Sequence, residues 1–162
     1  MWGGIEVGEH VRIDDFCVLV GDIRIGSHVH IASHCGLHAS QGSKIVLEDF
    51  SGISSNVQVY AASDDYDGEH ITARPGIPNY MINTVISTVV LGKYSQIGTG
   101  SVVLPGGILG DGTAVGAMSL IKDNLKPWSV YVGVPCRFLK ERKNQFLSRM
   151  EEMSDGRILF RK

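Results

Sequence analysis

Between Tyr60 and Thr84 the chain reads YAASDDYDGEHITARPGIPNYMINT, and this stretch holds its densest group of proton-moving side chains: Asp64, Asp65, Asp67, Glu69 and His70. An ordinary aspartate titrates near ~3.9 and is a weak base toward a hydroxyl. Toward an amine it is more useful, because a carboxylate binds the ammonium and relays its proton. Two adjacent carboxylates are also expected to repel each other and raise one pKa, which makes a better base. Asp64 and Asp65 are therefore the catalytic candidates of this stretch, and Tyr66, His70 and Arg74 are the candidates for substrate contact. A connection of about 22 residues exceeds the ~12–15 that compact domains tolerate without a functional reason. Its apolar residues Ile77, Tyr80 and Met81 suggest that it docks on a surface, such as that of a neighbouring subunit.

The element that must position this stretch is a repeat. Val7, Ile13, Leu19, Ile25, Ile31 and Leu37 are spaced by six. After a slip at Gln41–Lys44 the series resumes at Leu47, Ile53 and Val59, and beyond the acidic stretch at Leu91, Ile97, Val103, Leu109, Val115 and Ile121. A six-residue period fits neither a helical stripe nor strand alternation. It fits a coil with short flat sides and tight corners, each aliphatic residue pointing inward. A second inward position lies two residues earlier, at Val11, Cys17, Ile23, Val29 and Cys35, then at Ser95, Ser101, Thr113 and Ser119. Glycine follows the aliphatic residue at Gly8, Gly26, Gly92, Gly98, Gly110 and Gly116, where it supplies positive φ or lets backbones approach closely. Three sides per turn give about five coils, with equivalent residues such as Ile13 and Ile31 stacked about 4.8 Å apart. His10, His28 and His34 fall three past an aliphatic residue and should face outward, His10 stacking on His28. Cys17 and Cys35 should share one inward ladder as inert thiols.

Composition removes several classes. A formal charge of −2 gives no basic field for nucleic acid. No apolar run reaches the ~18 residues of a membrane span, and the start MWGGIEVGEH lacks the parts of a secretory leader. Three cysteines argue for reduced thiols and a cytoplasmic location rather than a disulfide framework. Beyond Pro135 the recurrence of Leu139, Phe146, Leu147 and Met150 reads as a helix, which divides the chain into a coil at 1–134, with its loop at 61–84, and a helical tail at 135–162.

The hexad [LIV]-G-x4 and the passage IGTGSVVLPGGILGDGTAVGAMSLIKDNLKPWSVYVGVPCRFLKER resemble the hexapeptide-repeat acyltransferases, including galactoside acetyltransferase. VRIDDFCVL, YAASDDYDGEH and GVPCRFLKERK together look like the acetyltransferases of O-antigen and nucleotide-amino-sugar pathways. The resemblance implies an all-β, left-handed parallel β-helix with one protruding loop and a short C-terminal helix. It implies a homotrimer with active sites at subunit interfaces, acetyl-CoA in the cleft between two neighbouring coils, and no metal. The donor would lie along Thr99, Gly100, Gly116 and Ala117, with Lys122, Arg137 and Lys140 near its phosphates. Where galactoside acetyltransferases carry a loop histidine as base, the count falls on Asp64, a departure that favours an amine over a hydroxyl as the group acetylated. The same count places His34 where that family has a substrate-contacting asparagine, which makes His34 a third catalytic candidate. The expected activity is transfer of acetyl from acetyl-CoA to a nucleotide-linked amino sugar for O-antigen or other surface polysaccharide, with sugar O-acetylation as the alternative. Two other classes share the scaffold. A β-helical zinc carbonic anhydrase would need three converging imidazoles among His28, His30, His34 and His38, and a non-catalytic hexad scaffold would bind no acetyl-CoA.

Overall fold

A computed structural model describes residues 3–72 and 75–154 and forms a three-sided parallel β-helix. Its first face stacks Ile5–Val7, Ile23–Ile25, Ile45–Leu47, Val89–Leu91, Ile108–Leu109 and Asn124–Leu125. The second stacks Arg12–Ile13, His30–Ile31, Gly52–Ile53, Gln96–Ile97, Ala114–Val115 and Ser129–Val132. The third stacks Val18–Val20, Gly36–His38, Gln58–Tyr60, Val102–Val103 and Leu120–Ile121. Five coils thus close on three faces and a sixth on two. A further layer, Arg137–Glu141, pairs antiparallel with Ser129–Val132 and brings the second face to seven strands. The expectation of about five coils was low by these last layers.

The hexad aliphatics form the predicted ladders. Ile13 pairs with Ile31, Ile31 with Ile53, Ile53 with Ile97 and Ile97 with Val115. From Ile23 upward this column and its two counterparts are buried, and burial of large aliphatic side chains is the main force holding the coils together. Among the described residues nothing stacks beneath the first coil, and Ile5, Val7 and Ile13 are 47%, 53% and 42% exposed. Two of the inward hydroxyls bind the backbone of the next coil, Ser101 Oγ donating to Gly116 O at 3.2 Å and Thr113 Oγ1 to Lys126 O at 2.8 Å. Ser119 Oγ instead donates to Gly116 O at 2.8 Å within its own coil, and Ser95 Oγ has no partner among the described residues. Cys17 and Cys35 are free thiols that donate to Ala32 O and Ser54 O.

The hexad glycines serve close approach, not positive φ. A Cβ on Gly98 would stand 2.5 Å from the backbone nitrogen of Ala117. The left-handed conformation falls two residues later, on His10, His28, Phe50 and Tyr94 at one corner. Those side chains stack as a ladder, His10 on His28 at 4.8 Å, His28 on Phe50 at 4.7 Å and Phe50 on Tyr94 at 5.1 Å. Ring stacking offsets part of the backbone strain that L-residues carry there.

The reading of a helix from Pro135 onward is corrected at its start. Residues 137–141 form a strand, because the last coil presents unpaired backbone groups that an antiparallel strand satisfies. The helix α1 spans Phe146–Ser154. It is docked by Phe146 against Tyr94 and Trp128. Arg142 donates from one terminal nitrogen to Tyr94 O at 2.8 Å and Gly112 O at 2.9 Å. Partial burial lowers its pKa.

Candidate active site

The acidic stretch is not a structureless loop. Ala62–Asp64 and Thr84–Ile86 form a two-stranded antiparallel hairpin, and Asn79–Met81 a 3-10 turn. Asp65 locks the stretch from within. Its Oδ1 accepts the Asp67 backbone N–H at 2.8 Å, and its Oδ2 accepts Asn83 Nδ2 at 3.0 Å. The His70 Nδ1 stands 3.3 Å from the same Oδ2. It forms no well-aligned hydrogen bond among the described residues. The Asp67 amide, then the Asn83 amide, hold the Asp65 carboxyl below the ordinary aspartate value. The expected rise of one pKa through Asp64–Asp65 repulsion is therefore not what governs Asp65. Its carboxylate is an anchor and a partner for His70. Asp64 sits at the outer end of the hairpin ladder, opposite Thr84, in an open trough of about 460 Å³ with Ser40, Gln41 and Ser63. Gln41, the first residue of the slip, thus lines that trough together with Ser40. Tyr66, Tyr80 and Met81 are exposed, at 81%, 82% and 43%, and Ile77 is half-buried. Arg74 lies outside the described residues.

The expected donor wall lies along the corner between the second and third faces. Phe16, His34, Asn56, Gly100 and Met118 are successive rungs there, all at φ between 55° and 71°. Backbone hydrogen bonds tie the rungs together: His34 N–H to Asp15 O, Asn56 to Ser33, Gly100 to Ser55 and Met118 to Thr99. Thr99–Gly100 and Gly116–Ala117 are thus neighbours on consecutive coils, and Gly98 lets those coils close up. The Met118 thioether lies over Gly100, where a Cβ would meet its sulfur at 2.5 Å. Gly116 packs against Val132, whose partner on the last strand is Arg137; Lys140 pairs with Val130, further from the corner. Lys122 is exposed after the last strand of the third face. Sequence spacing brings Arg137 to the end of the wall, whereas Lys122 stands on another face.

Within one protomer the two halves are apart. His34 precedes the third-face strand Gly36–His38, whereas Asp64 follows Gln58–Tyr60. The width of the third face separates them. Sequence reasoning missed Asn56, Ser55 and Phe16 on the same corner, although Phe16 and Asn56 follow from the spacing that turned His34 outward. Phe16 and Asn56 stand three past Ile13 and Ile53. A groove of about 380 Å³ on the second face runs from His30, Gly52 and Gln96 to Ser54, Ser55 and Thr99. The histidines diverge instead of converging. His28 belongs to the first corner ladder and His30 Nε2 bonds Asp14 at 2.9 Å. His34 stacks on Phe16 and His38 on Tyr60.

Residues 4–39 match the family described as bacterial transferase hexapeptide (six repeats). Over 146 residues the chain is 37% identical to a dTDP-4-amino-4,6-dideoxy-D-glucose acyltransferase of Escherichia coli, covering 88% of this chain and 74% of the relative. The fold superposes with TM-score 0.88 on AntD, an N-acyltransferase from Bacillus cereus solved with dTDP and 3-hydroxybutyryl-CoA. That match has 42% identity and covers 94% of this chain and 80% of AntD. A maltose O-acetyltransferase of Clostridium difficile 630 superposes with TM-score 0.72 at 27% identity, covering 86% and 70% of the two chains. With 37% identity over 88% of its length to one such acyltransferase and 42% over 94% to another, the chain belongs to the hexapeptide-repeat acyltransferase family.

Proposed function

We propose that this protein is an acyl-CoA-dependent N-acyltransferase that transfers an acyl group, acetyl in the simplest case, to the amine of a nucleotide-linked amino-deoxy sugar. The observation that carries the reading is the corner on which Thr99, Gly100, Gly116 and Ala117 form an open backbone wall in line with His34. Such a wall accepts an extended thioester arm, and Arg137 at its end suits a phosphate. The relatives support the acceptor: one is named for a dTDP-linked amino sugar and the other was solved with dTDP and an acyl-CoA. The AntD variants solved with dTDP and coenzyme A alter a serine and, ten residues later, an aspartate. Ser54 and Asp64, and likewise Ser55 and Asp65, stand at that separation here.

In this reading the ammonium of the acceptor binds a loop carboxylate, Asp64, at the polar trough. His70, whose Nδ1 stands 3.3 Å from Asp65, takes one proton from it as the general base. The free amine attacks the thioester carbonyl, the C–S bond breaks as the tetrahedral intermediate collapses, and coenzyme A leaves as thiol. No acyl-enzyme forms, and Cys17 and Cys35 face the core. Because loop and wall occupy different corners of one protomer, the active unit is a homotrimer in which the loop of one subunit meets the wall of the next. The exposed Tyr80 and Met81 are the contacts that would seat it. The cellular role is surface-polysaccharide synthesis in the cytoplasm. Thiol release from acetyl-CoA with a panel of nucleotide-linked amino sugars and free hydroxylated sugars tests the proposal. Release with the amino sugars supports it; release with the hydroxylated sugars alone replaces it with O-acetylation, and release with neither refutes it.

A further inference from the structure

The N-terminal end of the same corner holds a feature that neither the donor wall nor the acidic hairpin uses. Phe16 is 76% exposed, at a left-handed φ of 63°. Other aromatic corner residues in that conformation, Phe50, Tyr94 and Trp128, are half-buried in ring contacts. Among the described residues Phe16 has one ring partner: His34 lies parallel to it, with centroids 4.9 Å apart and planes within 14°. Around this pair a depression of about 400 Å³ is lined by Arg12, Asp14, Asp15 and Ser33. Arg12 uses its Nε on Asp14 Oδ1 at 2.7 Å, while its side chain is 75% exposed and carries its terminal amino groups toward solvent. Asp14 is further held by His30 at 2.9 Å. A flat aromatic face, an arginine fork and outward carboxylate and hydroxyl groups are what a nucleoside diphosphate requires. The ring stacks the base, the guanidinium meets phosphate, and Asp15 and Ser33 offer hydrogen bonds to base or sugar edges.

Position along the corner agrees. The rungs run Met118, Gly100, Asn56, His34, Phe16, so Phe16 lies three rungs, or about 14 Å, from Gly100 at one strand spacing per rung. An acceptor whose amine faces the thioester near Gly100 has its hexose and diphosphate to lay out along the intervening rungs before its base. We propose that Phe16, backed by His34, is the stacking platform for the nucleobase of the acceptor, with Arg12 as a diphosphate contact. This rests on the nucleotide-sugar reading above.

The test is calorimetry on the full chain with dTDP, inorganic pyrophosphate and coenzyme A as separate titrants, comparing wild type, Phe16→Ala and Phe16→Tyr. Base stacking of this kind predicts dTDP affinity weakened roughly 5- to 150-fold by Phe16→Ala. Phe16→Tyr should retain it, and coenzyme A affinity should be unchanged. Wild type should hold dTDP more tightly than pyrophosphate. Equal dTDP affinity in Phe16→Ala and wild type overturns the proposal, as does equal affinity of wild type for dTDP and pyrophosphate. Loss of oligomeric state on substitution also overturns it, by assigning Phe16 to a subunit contact. A turnover assay separates the two levels. Wild type that acylates nucleotide-linked amino sugars while Phe16→Ala does so with an unchanged KM removes the platform alone. Wild type with no turnover on any of them removes the functional reading beneath it.

Discussion

At the scale of single residues, the proposed mechanism divides between Asp65 and His70 a task that sequence spacing assigned to Asp64 and Asp65. A carboxylate that already accepts two amide N–H groups is stabilised in its charged form, which makes it a poorer base. It remains well suited to holding an imidazole. His70→Asn should therefore lower kcat by about 10²–10⁴-fold. The acid limb of the pH–rate profile should go with it, and affinity for coenzyme A should stay unchanged. A His70→Asn enzyme with wild-type kcat would return the role of base to Asp64. Asp65 also fixes the sign of an acid effect. Its folded pKa is depressed, so its contacts stabilise the hairpin above the ordinary value near ~3.9 and are lost as pH falls through the lower folded value. Carbon-13 NMR of the carboxyl should show a midpoint below ~3.9, and Asp65→Asn should abolish that titration. A midpoint at or above ~3.9 would contradict the anchoring described here.

At the scale of elements, the coil was legible because its signal is repeated. Every aliphatic residue of the hexad from Ile23 upward recurs in the same inward place, and errors at one rung do not propagate. Corner chemistry was half legible. Counting three past the aliphatic found His10, His28 and His34, yet the left-handed backbone at those positions was assigned instead to the preceding glycines. Gly98 shows the difference, since what forbids a side chain there is the Ala117 backbone 2.5 Å away. Gly98→Ala should cost about 1–3 kcal/mol of stability in chemical denaturation and weaken coenzyme A binding by spreading the two coils of the wall. A neutral substitution would show that the coils separate freely. The segment after Pro135 was misread because its apolar spacing fits a helix, while the competing need, an open sheet edge on the last coil, is invisible in a local pattern. The hairpin at Ala62–Asp64 was equally hidden, as its partner strand lies twenty residues away beyond two prolines.

At the scale of the whole molecule, the third face stands between the acidic hairpin and the proposed donor wall, so the proposed mechanism draws its complete site from two copies of the chain. Mixing and co-refolding two inactive variants, one altered at His70 and one carrying Gly116→Trp in the wall, should restore part of the activity that neither shows alone. Absence of any recovery in mixed assemblies, confirmed as mixed by mass, would place both halves within a single subunit. The stacked corner has one more consequence. Its rungs are set by hydrogen bonds between coils, so distance along it comes only in whole steps of about 4.8 Å. The β-helix is therefore a graduated ruler. Tolerance for a longer or shorter acceptor can be altered by adding or removing a full turn of chain, whereas point substitutions change which group is read at a given mark.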